Sequence, residues 1–228
     1  MFKIIITQAF ITLAFLNSCE CPPNLNTNKE IIPTEFSNIA IINLIPYENP
    51  FDVYSQKIPI ANNIDCITNS EFKYYKFPAN YANLMVKQSN EIIFNTMIFS
   101  LSGHYLTIFF YTQENTKQFA VVEDDYIDSL SNAYLRLCNF STNMKLKYEI
   151  TSSLPQPIIL LMNNNDISKM IPMPAGKISL KVTNLENNQQ ISSISDIHLQ
   201  INSITNIISI GDTNNNQTNL KRTFKNKN

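Results

Sequence analysis

Phe77-Pro78-Ala79-Asn80-Tyr81-Ala82-Asn83-Leu84-Met85-Val86 is the stretch that decides the fold. Beyond Pro78-Ala79 the side chains alternate, with Ala82, Leu84 and Val86 on one face and Tyr81, Asn83 and Met85 on the other, which is the period of a β-strand. The pattern returns 96 positions later as Met173-Pro174-Ala175-Gly176-Lys177-Ile178-Ser179-Leu180-Lys181-Val182, with Gly176 where Asn80 stands. Glycine has no steric penalty at positive φ and asparagine a small one. The exchange therefore predicts positive φ at both positions, in a tight reversal between strands.

A second pair of anchors has the same offset. Asn43 closes the apolar run Ile39-Ala40-Ile41-Ile42, and Asn139, 96 positions on, closes Leu135-Arg136-Leu137-Cys138. With two residues inserted, Phe99-Ser100-Leu101 and Leu106-Thr107 match Ile197-His198-Leu199 and Ile204-Thr205, which puts Asn202 in the place of His104. The segments between anchors are short, β-branched and aromatic, broken by Asn, Pro and Ser clusters, and none sustains a helical period. The chain therefore reads as all-β: two tandem β-sandwich domains of roughly seven strands each, over 37–125 and 133–224, with a linker at 126–132. Leu220 to Phe224 is expected to close the second copy, and 225–228 to form a frayed tail.

Composition removes several functions. Three glycines, Gly103, Gly176 and Gly211, cannot supply a glycine-rich phosphate cradle. Two histidines 94 positions apart, His104 and His198, predict no multi-histidine metal site, and no cofactor is expected. A formal net charge of −1, from 17 Lys+Arg and 18 Asp+Glu, offers no basic footprint, so no nucleic-acid partner is expected. Hydrophobic residues at 44% suffice for a core.

The first residues read as an address. Met1-Phe2-Lys3 is a short basic start, and Ile4 to Leu16 is an apolar stretch of about 20 Å as a helix, too short for the roughly 30 Å hydrocarbon core of a membrane. This is the form of a secretory signal peptide, 1–18. Leu16-Asn17-Ser18-Cys19 resembles the bacterial lipobox, which implies that Cys19 is diacylated and becomes the mature N-terminus. Residues 19–36 then form a tether. Two or three acyl chains would hold the protein on a membrane almost permanently, so the expected location is the bacterial cell envelope, at the outer membrane or cell surface.

Asn43-Leu44-Ile45-Pro46-Tyr47-Glu48-Asn49-Pro50-Phe51-Asp52-Val53-Tyr54 resembles the opening of the bacterial domain-of-unknown-function family 4397, Asn-x-Ser-Pro-Asp-x-x-x-Val-Asp-Val-Tyr. Ile171 to Lys177 is similar to that family's Val-Pro-Val-Pro-Ala-Gly turn, and Val122-Glu123-Asp124-Asp125 to the Val-Asp-Asp that ends one copy. The resemblance implies immunoglobulin-like or transthyretin-like sandwiches on an envelope protein. It implies no activity.

Several residues invite a chemical reading. Asp124, Asp125 and Asp128 cluster at the linker, with Asp166 and Asp212 on loops of copy two, and hard oxygen ligands of this kind suit calcium; solvated charge at a strand end is the usual explanation of such a run, and no metal site is assigned. Asp52 is expected to hold backbone donors of the Pro46 to Pro50 loop. His104, in the turn after Gly103, has no nucleophile to serve, so no catalytic residue is named and the chain reads as non-enzymatic. Cys66 and Cys138 lie at non-equivalent positions, and spacing alone cannot decide a disulfide between them. Asp128-Ser129-Leu130 resembles an O-glycosylation signal.

Aromatic residues crowd copy one. Along Tyr105 to Tyr111 both faces are apolar, so an outward face rich in tyrosine and phenylalanine is the candidate for contact with a glycan or an envelope or extracellular protein. The bland alternative is that copy two fills its core with Ile and Leu. A structural spacer and a hydrolase using loop carboxylates are the competing functions.

Overall fold

The computed structural model describes residues 35–45, 49–66, 74–124 and 132–211, and the backbone of Asn219–Phe224. Residues 33–228 form one compact unit. The described elements are all β. Strands β1 (Phe36–Asn43), β2 (Phe51–Ser55), β3 (Ile58–Ile64), β4 (Tyr74–Pro78), β5 (Asn80–Gln88), β6 (Glu91–Ser100), β7 (Tyr105–Gln113) and β8 (Thr116–Glu123) make an N-terminal sandwich. Strands β9 (Asn132–Ser141), β10 (Leu146–Thr151), β11 (Ile158–Met162), β12 (Asp166–Ile167), β13 (Ile171–Pro174), β14 (Gly176–Asn184), β15 (Gln190–Leu199), β16 (Ile204–Gly211) and β17 (Asn219–Phe224) make a C-terminal one. Phe36, expected in the tether, opens β1, and Asn132, expected in the linker, opens β9. The signal peptide, Cys19, Asp125, Asp128, the Asp128-Ser129-Leu130 signal, Asp212 and the tail at 225–228 lie outside the described residues.

Each sandwich has the same strand order. Sheets β4-β1-β7-β8 and β3-β2-β5-β6 recur as β12-β9-β16-β17, with β13 also on β9, and β11-β10-β14-β15. In both, the first strand runs parallel to the penultimate one, Ile39 opposite Leu106 and Leu135 opposite Thr205. These registers, and Asn80 opposite Ser100 against Gly176 opposite Leu199, put the insertion between the copies at three residues. The matched positions are thus one further on than the sequence suggested. Asn202, at φ 57°, answers Gly103, at φ 79°, and Ser203 answers His104. The backbone agrees: Asn38 N donates to His104 O and Tyr134 N to Ser203 O.

Asn80 and Gly176 have φ of 65° and 137°. The positive φ is as expected, but its setting differs. No reversal occurs there; the chain leaves β4, paired to β1, and enters β5, paired to β2 and β6, so the residue is the corner at which one strand changes sheets. A bend of this kind turns the alternation of side chains without reversing direction.

Asn43 and Asn139 explain why the repeat is anchored on asparagine. Both are buried at the end of the first strand. Asn43 Oδ1 accepts Ile45 N at 3.0 Å while its Nδ2 donates to Ile64 O at 3.1 Å, and Asn139 Oδ1 accepts Ser141 N at 3.1 Å while its Nδ2 donates to Met144 O and Asn163 O, both at 2.9 Å. A side chain with a donor and an acceptor at one end can close a turn and pin the end of the third strand at once, and a buried amide must be satisfied on both.

Three cores order the sheets into four layers. One, with Phe51, Val53, Leu84, Val86, Ile108 and Phe110, lies between the N-terminal sheets. Another, with Leu135, Leu137, Tyr148, Leu180, Val182 and Ile207, lies between the C-terminal sheets. The third joins β1 and β7 to β9 and β16 through Ile42, Leu44, Phe109, Cys138, Phe140 and Ile208. Strands in the two middle layers are covered on both faces, which is why β1, β9 and β16 and the first part of β7 are buried nearly throughout, polar residues such as Asn38, Thr107, Arg136 and Thr205 included.

Candidate functional site

Three destinations account for the aromatic surplus of the N-terminal copy. Phe51, Phe94, Phe110 and Phe119 fill its own core, where Phe51 meets Phe110 edge-on at 5.2 Å. Phe109 and Tyr111, on the outward face of β7 that the sequence offered to a ligand, are covered by the C-terminal sandwich: Phe140 packs on Phe109 at 5.3 Å and on Tyr111 at 4.6 Å. That face is therefore an internal seam. Among the described residues, Tyr81 and Phe99 reach solvent as a pair, with the half-buried Tyr54 on the same face, and they are on the other sheet.

The seam carries a buried polar network that sequence reasoning missed. Arg136 stands in β9 where β1 has Ala40, and a lone charge within a run buried on both faces was the signal. Its Nη1 donates to Asp124 Oδ1 at 2.6 Å and its Nη2 to Glu123 O at 3.1 Å, with both side chains almost wholly buried. Tyr74 OH and Thr107 Oγ1 donate to Asp124 Oδ2 at 2.5 and 2.7 Å. Burial, and then the carboxylate beside it, push the Tyr74 hydroxyl far above its ordinary range. Burial likewise pushes the Cys138 thiol up to about 12. Asp124 is thus a structural counter-ion whose oxygens are both engaged, and not a strand-end charge in water.

The other nominated residues are structural as well. Asp52 Oδ1 accepts Asn63 N at 2.8 Å and so holds the positive-φ bend of β3; residues 46–48 of the loop it was expected to hold lie outside the described residues. Asp166 Oδ2 accepts Asn163 N at 2.7 Å and closes its own loop. His104 Nδ1 pairs with Glu123 Oε1 at the surface, a partner the sequence did not suggest. No disulfide joins Cys66 and Cys138; Cys138 is in the seam. Among the described residues no group of His, Cys, Asp and Glu is arranged to hold a metal ion.

The open face of the sheet β3-β2-β5-β6 remains as the candidate site. Registered pairing sets Tyr81 beside Phe99, Asn83 beside Met97 and Met85 beside Asn95 and Tyr54. Their inward neighbours Ala82, Leu84, Val86 and Ile98 are buried, which fixes the outward side chains on one plane. Tyr81 is 71% exposed, Phe99 51% and Met97 56%, and the two rings lie 5.0 Å apart. Lys87 is placed over the Tyr54 ring at 5.2 Å. An apolar group this size in water is unusual unless something covers it.

The equivalent face of the C-terminal sandwich has a different chemistry. Lys177 and His198 occupy the positions of Tyr81 and Phe99, and the face continues with Ser179, Lys181, Lys147 and Glu149. Lys177 pairs with Asp196 at 2.9 Å and Lys147 with Glu149 at 3.4 Å. Hydrogen bonding to Lys177 and its charge hold the Asp196 carboxyl below its usual range.

No protein-family model matches the chain, and no curated protein does. Solved structures to which it is similar include an α-glucan-recognising family 41 carbohydrate-binding module from streptococcal virulence factors, at 10% identity and a TM-score of 0.27 over 83% of this chain and 97% of that one. Another is the family 26 module of Eubacterium rectale Amy13K solved with maltoheptaose, at 8% identity and a TM-score of 0.28 over 84% and 97%. Similarity at that level leaves the ligand of this chain to be argued from its own surface.

Proposed function

We propose that the protein is a non-enzymatic, lipid-anchored envelope protein that binds a glycan on the open face of its N-terminal sandwich. The observation that carries this is the exposed Tyr81–Phe99 pair, its rings 5.0 Å apart and inclined at 46°, on the open sheet face. The C–H bonds on one side of a pyranose ring carry slight positive charge and dock on the negative face of an aromatic ring, which also removes apolar area from water. Side chains already placed by paired strands lose little conformational entropy on binding. Membrane attachment rests on the Leu16-Asn17-Ser18-Cys19 motif, with the second sandwich setting the binding face away from the seam.

Binding of the protein to an array of neutral glycans tests the reading. Tyr81→Ala and Phe99→Ala should each weaken binding by about tenfold or more, the order expected for loss of one stacked ring, with unchanged thermal unfolding. Binding that survives both substitutions would refute it. For the anchor, Cys19→Ser should abolish incorporation of a labelled fatty acid and leave an uncleaved precursor.

A further inference from the structure

The glycan reading leaves open what feature of a sugar the face selects, and the amides beside the aromatic pair address it. Asn83 and Asn95 are diagonal neighbours on β5 and β6, on the same outward plane as Tyr81 and Phe99. Asn83 is two residues, about 7 Å, along the strand from Tyr81. Asn83 Nδ2 donates to Asn95 Oδ1 at 2.7 Å. That bond locks the two carboxamides against each other and leaves Asn83 Oδ1 as an acceptor and Asn95 Nδ2 as a donor, neither bonded to the protein among the described residues. Turning both amides over leaves the same result, one donor and one acceptor side by side.

The charges nearby are already engaged. Asp52 binds the backbone of β3, and Lys87 is over the Tyr54 ring. Asp52 and Lys87 stand opposite each other in register and carry opposite charges, and around Tyr81 and Phe99 the face offers a ligand uncharged groups: rings, thioethers and one donor–acceptor couple.

We infer that the Asn83–Asn95 couple recognises a vicinal diol, two adjacent free hydroxyls on a neutral hexan whose neighbouring ring stacks on Tyr81 and Phe99. One hydroxyl donates to Asn83 Oδ1 and the oxygen of the next accepts from Asn95 Nδ2. Because the amides are held by each other, no side-chain freedom is lost on binding, and a sugar lacking one hydroxyl leaves a polar group uncompensated. This inference rests on the glycan reading and adds its selectivity.

The test compares two neutral glucans on the whole protein. One is linked through O4, so each residue keeps adjacent hydroxyls on C2 and C3; the other is linked through O3 and has no such pair within the chain. Wild type should bind the O4-linked glucan about tenfold more tightly than the O3-linked one, a factor of the size set by one uncompensated polar group. Asn83→Leu and Asn95→Leu, both on the surface, should erase that preference while leaving thermal unfolding and the weaker binding in place. Equal binding of both glucans, still lost in Tyr81→Ala, would overturn the diol inference and leave the glycan reading standing. Failure of wild type to bind any neutral glycan on the array would overturn both.

Discussion

Ser37 and Ser100 hydrogen-bond at 2.9 Å in the core of the N-terminal sandwich, whereas Ala133 and Leu199, at the same two strand positions of the C-terminal one, pack as hydrocarbon. A second exchange runs the other way. Val53 and Phe110 in the first core become Tyr148 and Ser209 in the second, and the Tyr148 hydroxyl donates to Ser209 Oγ at 2.7 Å. In each case the two partners differ together, because one polar group left alone in a core costs far more than a matched pair or none. The comparison teaches that these sandwiches share a frame, set by Asn43 and Asn139 and by the sheet-changing corners, while their fillings are free to differ in coupled pairs.

The largest expected effect comes from breaking what the two sandwiches share. Asp124→Ala strands Arg136 in the seam and should cost about 3–5 kcal/mol in denaturant unfolding, whereas Asp124→Leu with Arg136→Met should recover most of it. Two separated unfolding transitions in wild type would contradict a shared seam.

Alkali tests the same burial from another side. Cys138, Tyr74 and Tyr148 all have hydrogens held by burial, so the folded state binds more protons than the unfolded one above the ordinary thiol and phenol range. The stability they contribute is complete below about pH 8.5 and is lost as pH rises toward the folded values, at up to about 1.4 kcal/mol per pH unit for each group. Cys138→Val should reduce the slope of stability against pH above 9, the ordinary range for a thiol; an unchanged slope would mean that the thiol is not buried.

The corners separate next. Gly176→Val should cost about 1–3 kcal/mol by backbone strain alone, since no atom lies within 4 Å of where a Cβ would stand. Asn80→Gly should be close to neutral. A Gly176→Val as mild as Asn80→Gly in thermal melts would contradict the positive-φ corner at 176. Tyr148→Phe should cost about 1–2 kcal/mol by leaving Ser209 unpaired, and Tyr148→Phe with Ser209→Ala should restore it; thermal melts would read both.

Much of this architecture was legible because it depends on residues with local signatures. Asparagine and glycine at positive φ, proline before them and alternating strands disclose the repeat, its corners and the all-β class. The exact offset was not legible, since a one-residue slip on β6 still matches Ile and Leu to Phe and Leu, and only hydrogen-bond register distinguishes the alternatives. The seam was hidden for a related reason. Alternation reports that β7 is apolar on both faces, but not which neighbour covers the second face. Asp124 looked like one of several linker carboxylates, and only its distance to Arg136 makes it a buried counter-ion. The candidate face was half visible: the excess of rings could be counted, while the Tyr81–Phe99 pair that stays in water had to be located.

The third core has one more property. Ile42, Leu44 and Phe109 contribute from one side, and Cys138, Phe140 and Ile208, which occupy the corresponding strand positions, from the other. A patch that meets its own counterpart is the arrangement of a twofold homodimer. Here both halves belong to one polypeptide, so their association is independent of concentration and neither half is obliged to stay identical to the other. The asymmetry that a true homodimer forbids, an arginine facing an aspartate across the axis with an alanine at the arginine's mirror position, and rings on one outer face with lysines on the other, becomes available to a pseudosymmetric chain.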